Sequence, residues 1–312
     1  MKFFSNWKKL FKSLIYLFLT LAVLYFLYRN INYNWRQLLE YEFNLNFSLF
    51  IFSLVIMLLT LLLLPMSWRV VLKGFNIKLS FTKSYIFMNI SQLGKYLPGK
   101  LWIFIGQTYY IAKEGKSKTL GFFSTIVQTL ISVTSGMTVY FIIHLLIGDT
   151  DVLADYWFVF LFVPLFFFAA LPSCQRLVLW LISKIREKKT MFVTMPYSSI
   201  ISAFVLMLLY WLITGLAFYI MARSAYAVSF EILPLMTSAM AIAWVIGFLA
   251  FFSPSGLGIR EGFLIVILRN AMPLEQAIVI SFLSRIWFVL CDLTNGLIAW
   301  RLAMRTERTG SG

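Results

Sequence analysis

The segment 94–100 reads Gly94-Lys95-Tyr96-Leu97-Pro98-Gly99-Lys100, and it interrupts an apolar stretch that runs from 84 to 112. That stretch has 14 residues on each side of Pro98. A helix of that length is roughly 21 Å long, which is too short to cross a bilayer. The loops on both sides are basic, so both should stay in the cytoplasm. These observations predict a re-entrant helical hairpin that enters from the cytoplasm and turns at Pro98 and Gly99.

Composition also points to a membrane. Of the 312 residues, 61% are apolar and 12% are charged, whereas soluble domains are about 45–50% apolar and about 25% charged. The formal net charge is +15, which in a soluble protein would suggest a nucleic-acid partner. Here the charge lies in short loops between apolar runs, where it sets orientation and contacts anionic lipid. We therefore predict a polytopic membrane protein with no nucleic-acid partner.

Several apolar runs are long enough to form membrane-spanning helices, and the first should be an uncleaved anchor. They lie at about 11–28, 46–66, 119–147, 154–182, 199–222 and 275–303. A second interrupted segment, 232–270, contains Pro254, Ser255, Gly256 and Gly258. It predicts a second hairpin, entering from outside, although its first arm is long enough to span.

Loop charge predicts the orientation of the chain. Lysine and arginine are in excess at the N-terminus, in the loops 67–83 and 113–118, in the segment 184–189 and at the C-terminus. The positive-inside rule therefore places these segments, and both termini, in the cytoplasm.

An internal repeat is the simplest account of this order. Pro98 and Pro254 are 156 residues apart, and the same offset superposes the long apolar runs of the two halves. The sequence predicts one all-α membrane domain over 1–312 with repeats at about 11–147 and 154–303. Each repeat would have three transmembrane helices and one broken hairpin, and the second would be inverted relative to the first. A coincidence of helix lengths is the alternative.

Charged side chains inside membrane-level segments are the candidate functional residues, because a charge at the bilayer centre costs about 2.5–3.5 kcal/mol. They are Lys95, Lys100, Arg260, Glu261, Arg285 and Asp292. Lys95 and Lys100 flank the first hairpin turn, where they either serve a buried site or snorkel to an interface. Arg260 and Glu261 follow Gly258, at a helix start whose free N–H groups suit an anion, or they simply neutralise each other.

Two polar stripes predict the walls of a shared cavity. Arg285 and Asp292 lie on one face of the last helix, and Gln128 lies with serines on one face of its counterpart in the first half. Hydrogen bonds between packed helices would explain the serines equally well, but not Arg285. The cysteines Cys174 and Cys291 lack metal-ligand spacing, so we expect no metal and no cofactor. His144, the one histidine, has no catalytic partner in sequence, so we do not expect an enzyme.

Two motifs carry a family resemblance. The stretches Asn89-Ile90-Ser91-Gln92-Leu93-Gly94-Lys95-Tyr96-Leu97-Pro98-Gly99-Lys100 and Ser253-Pro254-Ser255-Gly256-Leu257-Gly258-Ile259-Arg260-Glu261 resemble the signatures of the lysylphosphatidylglycerol synthase transmembrane (flippase) family. The resemblance covers roughly 10–300 and implies lipid translocation, of aminoacylated phosphatidylglycerol or of polyprenyl-linked or hopanoid lipids. The aminoacyl-transferring domain of the bifunctional members is not found in this sequence, so lysine transfer is not expected.

The resulting expectation is a transporter or flippase of the bacterial inner membrane. It would move a lipid with an anionic headgroup, either a phospholipid or a polyprenyl-phosphate-linked lipid. Lys95, Lys100, Arg260 and Arg285 would bind phosphate, helped by half-helix N-termini after Pro98 and Ser255, while Glu261 and Asp292 would orient the arginines or carry a coupled proton. The alternatives are a small-solute or ion carrier, a membrane enzyme acting on lipid phosphates, and a non-catalytic partner of a glycosyltransferase in a lipid-glycan pathway. A homo-oligomer also stays open.

Overall fold

The computed structural model describes residues 45–96, 101–148, 195–250 and 253–308, together with Trp180. The α-helices in these ranges are α1 (Phe47–Thr60), α2 (Leu63–Gly74), α3 (Phe81–Gln92), α4 (Leu101–Lys113), α5 (Lys118–Ile147), α6 (Tyr197–Arg223), α7 (Leu233–Leu249), α8 (Ile259–Leu268) and α9 (Leu274–Arg308), with 3-10 turns at Leu93–Tyr96, Phe230–Ile232 and Pro254–Gly256. The predicted all-α class is confirmed for this part of the chain. The predicted helices at 11–28 and 154–182 lie outside the described residues, apart from Trp180.

Five of the described helical segments are long and apolar enough to cross a membrane. They are Phe47–Gly74, Lys118–Ile147, Tyr197–Arg223, Phe230–Leu249 and Leu274–Thr306. The protein is therefore a multi-pass membrane protein. The first of these segments continues beyond the predicted end at 66, since α2 follows α1 after one turn.

Helix α2 continues to Gly74 because one of its faces stays apolar and buried, while two cations lie on its exposed face. Trp68, Val71 and Leu72 are buried, whereas Arg69 and Lys73 are exposed on the same helix. The Arg69 Nε donates a hydrogen bond to the Leu79 carbonyl oxygen over 2.9 Å. A count of loop charge alone placed both cations in a loop.

Each interrupted segment folds as two helical arms packed against each other. In the first, a Cβ added to Gly106 of α4 would lie 2.7 Å from the Ser91 Oγ of α3, so glycine permits the close approach of the arms. In the second, Gly256 has φ +68°, and an added Cβ would lie 2.9 Å from the backbone of Gly247. The arm α8 is 10 residues long, which is roughly 15 Å of helix and about half the hydrocarbon thickness.

The two halves of the chain pack against each other around the hairpins. Helix α3 packs on α9, α7 packs on α5, and α6 packs on α1 and α2. The 3-10 turns at Leu93–Tyr96 and Pro254–Gly256 contact each other, so the two hairpin tips meet. Indole N–H groups tie the long helices together, from Trp287 to the Ser53 Oγ at 3.1 Å and from Trp211 to the Ser135 Oγ at 3.0 Å.

Two helical glycines provide a matched test of this packing. A Cβ on Gly215 of α6 would overlap the Thr237 side chain of α7, whereas a Cβ on Gly262 of α8 meets nothing within 4 Å. We expect Gly215→Ala to destabilise the protein by about 1–3 kcal/mol through overpacking. Gly262→Ala should be neutral or slightly stabilising, because alanine favours a helix. Thermal unfolding of the detergent-purified variants measures both, and equal melting temperatures would contradict the close contact of α6 with α7.

Candidate functional site

A cavity of about 120 Å³ lies where the two hairpin tips meet α5, α6 and α9. A water molecule needs roughly 10–15 Å³ on the same measure, so the cavity has room for several waters or a small polar group. Lys95, Gln128, Arg260, Arg285 and Asp292 line it. Most of the predicted site residues are thus brought together from four separate segments.

The remaining predicted residues fall into two groups. The Glu261 side chain lies behind the cavity wall and is only 3% exposed. Lys100, with the turn residues Pro98 and Gly99, lies outside the described residues.

Asp292 is held by the tip of the first hairpin. Its Oδ2 lies 2.6 Å from the Lys95 Nζ and accepts a hydrogen bond from the Tyr96 hydroxyl at 2.5 Å. The Asp292 side chain is 9% exposed and that of Lys95 is 24% exposed, so the pair is largely withdrawn from solvent. The sequence led us to expect that Asp292 orients the arginines, whereas in the structure its Oδ2 contacts Lys95 and Tyr96 of the first tip.

Arg285 contacts the tip of the second hairpin instead. Its Nη1 donates to the Ser255 carbonyl oxygen over 3.0 Å and lies 3.6 Å from the Glu261 Oε1. Its guanidinium also lies 6.0 Å from the centre of the Tyr96 ring, which belongs to the other tip. Arg285 therefore stands between the two hairpin tips.

Arg260 is the most deeply buried cation of the cluster, at 5% exposure. Its Nη2 donates to the Ser284 Oγ over 3.1 Å, and its guanidinium lies 4.4 Å from the centre of the Phe288 ring. Its Nε is 3.9 Å from the Glu261 Oε1, which is too long for a hydrogen bond. Among the described residues, neither of these two buried atoms has a hydrogen-bond partner, so a water or a ligand atom is needed to satisfy them.

Glu261 has a structural task that the sequence did not reveal. Its Oε2 accepts the Gly258 N–H at 2.6 Å and so caps the N-terminus of its own helix, α8. Glu261 therefore takes one of the N–H groups at this helix start, that of the N-cap residue, and this donor is not available to an anion. The arginine side chains provide further donors at this tip.

The cluster has an excess of positive charge. Lys95, Arg260 and Arg285 are three cations and Glu261 and Asp292 are two anions, so the formal sum over the described members is +1. No group of three or more His, Cys, Asp or Glu side chains within the described ranges could hold a metal ion. The arrangement is suited to binding one anionic group in a site of low polarity.

Sequence reasoning missed part of the uncharged side of the cavity. Tyr96, Gln107 and Trp244 line it, and the Thr125 hydroxyl donates to the Gln107 Oε1 over 2.9 Å. Gln128 was predicted, and its Oε1 accepts from the Ser67 hydroxyl at 3.1 Å. Gln107 is the one amide side chain of α4, and this was the signal that could have identified it.

The comparison with known families agrees with this architecture. The family described as lysylphosphatidylglycerol synthase TM region matches residues 12–291, which is most of the chain, and this protein belongs to that family. A search of the curated proteins found no match.

The ion pair at the first hairpin tip predicts a specific energetic coupling. Lys95→Met leaves the Asp292 carboxylate without its counter-charge, so adding Asp292→Asn should recover part of the lost stability. We expect a coupling free energy of about 1–3 kcal/mol for Lys95 with Asp292. Thermal unfolding of the two single variants and the double variant in detergent measures it.

Two control pairs accompany this cycle. Arg285→Met with Asp292→Asn should couple more weakly than Lys95 with Asp292, because the two residues form no ion pair in the described part of the chain and meet through Tyr96, a shared neighbour. The pair Lys83–Glu114 has the same charges at 2.9 Å, but both side chains are about a quarter exposed, so its coupling should stay below about 1 kcal/mol. Stronger coupling of Asp292 with Arg285 than with Lys95 would overturn the assigned pairing.

Proposed function

We propose that this protein moves a lipid with an anionic phosphate headgroup across the bacterial inner membrane. The observation that carries the proposal is the cavity between the hairpin tips, with Lys95, Arg260 and Arg285 opposed by only two carboxylates. Buried cations in a membrane protein are costly, and they normally mark a substrate or ion path. A phosphate in the cavity would face the guanidinium groups of Arg260 and Arg285, which line it.

The lipid-facing surface beside the cavity supports a substrate that keeps its acyl chains in the bilayer. Leu101, Ile105 and Tyr109 follow one another at four-residue spacing on α4, and all are exposed. The opposite face of α4 contributes Phe104 and Gln107 to the cavity. One short helix therefore separates lipid from the charged cluster, which favours a lipid over a small soluble solute.

The packing of the hairpin arms supports an inverted repeat, which would give the protein two access states. The first arm of the first hairpin, α3, packs on α9, the last long helix of the second half. The first arm of the second hairpin, α7, packs on α5, the last long helix of the first half. The second arm, α4 or α8, packs on the last long helix of its own half. Such a reciprocal pattern is expected of two halves related by a two-fold axis. Hairpins that enter from opposite faces would form a thin barrier between two vestibules, as in other inverted-repeat transporters.

Translocation in proteoliposomes tests this function. Fluorescent phosphatidylglycerol in the inner leaflet should become accessible to an added reductant faster with protein than without it. Arg260→Met and Arg285→Met should each slow this by at least about tenfold, because a hydrogen bond to a charged group contributes about 1.5–3 kcal/mol. Arg269→Met, at the exposed end of α8, is the matched control and should retain the wild-type rate.

Retention of the wild-type rate in both cavity variants would contradict the proposed site. Absence of lipid movement, with uptake of soluble inorganic phosphate instead, would favour the small-solute carrier. Folding of each variant is checked by its elution as a single species in size-exclusion chromatography.

The inverted topology predicts the sides to which exposed positions belong. In a background free of native cysteines, Lys78→Cys and Lys116→Cys should react with an impermeant thiol reagent from the cytoplasmic side. Glu231→Cys and Asn270→Cys, at the two ends of the second hairpin segment, should react only from outside. All four positions are exposed. Labelling of 116 from outside, or of 231 and 270 from opposite sides, would refute the re-entrant arrangement.

A further inference from the structure

The turn Leu93–Tyr96, at the tip of the first hairpin, has little apolar burial to hold it in place. None of its four residues is buried. In the preceding helix α3, by contrast, Tyr85, Ile86, Phe87 and Met88 are all buried. Segments with few buried apolar contacts open locally at a low free energy. The tip can therefore move while the arm α3 stays packed.

The polar contacts of this turn converge on one carboxylate. The Oδ2 of Asp292 lies 2.6 Å from the Lys95 Nζ, and the same oxygen accepts the Tyr96 hydroxyl at 2.5 Å. Lys95, Tyr96 and Asp292 all line the cavity. One oxygen atom of α9 thus fastens the tip of the first hairpin.

The proposed repeat does not reproduce this contact in the second half. At the offset of 156 residues that superposes Pro98 on Pro254, an uncharged residue stands at each equivalent position. Lys95 corresponds to Phe251, Tyr96 to Phe252 and Asp292 to Gly136. A contact that only held the shared scaffold together would be expected in both halves. The charged contact is instead a specific feature of the first hairpin.

The surroundings of the ion pair allow it to open. An ion pair that is sealed from water separates only at a large cost, because each ion is then left without a partner. Here the Lys95 side chain is partly exposed and both ions border a cavity with room for several waters. Both ions can therefore be hydrated when they separate.

We propose that Lys95, Tyr96 and Asp292 form a latch that closes the cavity toward the cytoplasm. The two arms of the first hairpin lead from this tip to Lys78 and Lys116, in loops whose charge predicts a cytoplasmic position. When the latch opens, the tip leaves α9 and the cavity becomes accessible from that side. This inference rests on the proposed function, because it names the regulation of access to the same site.

The rate at which a cysteine in the cavity reacts tests the latch without any lipid ligand. In a background free of native cysteines, Ser132→Cys serves as the reporter, since Ser132 lines the cavity and is 7% exposed. Impermeant 2-sulfonatoethyl methanethiosulfonate is added to inside-out and to right-side-out vesicles. Tyr96→Phe keeps the ring and the formal charge but removes the hydroxyl donor. We expect it to raise the reaction rate from the cytoplasmic side about tenfold or more, as for the loss of a hydrogen bond to a charged group. The rate from outside should stay unchanged.

Tyr85→Phe is the matched control. The Tyr85 hydroxyl donates to the Asn295 Oδ1 over 2.6 Å and so also joins the first hairpin segment to α9. Both residues are buried, and the contact lies on the arm α3 rather than at the tip. This variant should keep the parental rate on both sides. Rates are taken from the modified fraction over time, so that they do not depend on the yield of each variant.

Three outcomes would overturn the latch. They are an unchanged cytoplasmic rate in Tyr96→Phe, an equal rise in Tyr85→Phe, and a rise from outside only. Each of these would leave the proposed function standing, since the labelling contains no lipid ligand. Failure of lipid movement in proteoliposomes, with labelling as expected, would remove the proposed function and not the latch.

Discussion

A charge inside a membrane protein must have a counter-charge or a polar partner, and α9 supplies such partners to both hairpins. Asp292 holds Lys95 and Tyr96 at the first tip, while Arg285 holds the Ser255 carbonyl and Glu261 at the second. Unpaired, each of these groups would cost several kcal/mol. The contacts that Asp292 and Arg285 of α9 make with the two hairpin tips therefore hold both tips beside this helix. The cavity lies between them.

The break in the second hairpin brings a helix start beside the cavity. A continuous helix satisfies its own backbone hydrogen bonds, whereas the ends of a broken helix need other partners. Ending the helix at a turn with positive φ, at Ser255, Gly256 and Gly258, lets the chain reverse and begin α8 beside the cavity. Glu261 then satisfies the N-cap donor of that helix. The two carboxylates thus stabilise the scaffold, and the arginines retain hydrogen-bonding capacity toward the cavity.

Sequence reasoning identified the features that depend on local pattern. Pro254, Ser255 and Gly256 mark the turn of the second hairpin, apolar length marks the long helices, and charges at membrane depth mark the four charged residues that line the cavity. It failed where contacts between distant segments decide the outcome. The partner of Asp292 is 197 residues away in sequence, at Lys95, and no spacing rule on α9 could reveal it. Gln107 was missed for a related reason, because a lone amide in an apolar arm has no meaning until the arm is placed beside α5.

The charge balance of the cavity limits what it can hold. With a formal sum of +1 among the described side chains, one phosphodiester brings the occupied cavity to neutrality. A doubly charged phosphate would leave a surplus anion in a site of low polarity, where an uncompensated charge is costly. An uncharged headgroup would leave the surplus cation unmatched. Under the proposed function, the excess of a single cation would favour a monoanionic headgroup over an uncharged or a dianionic one.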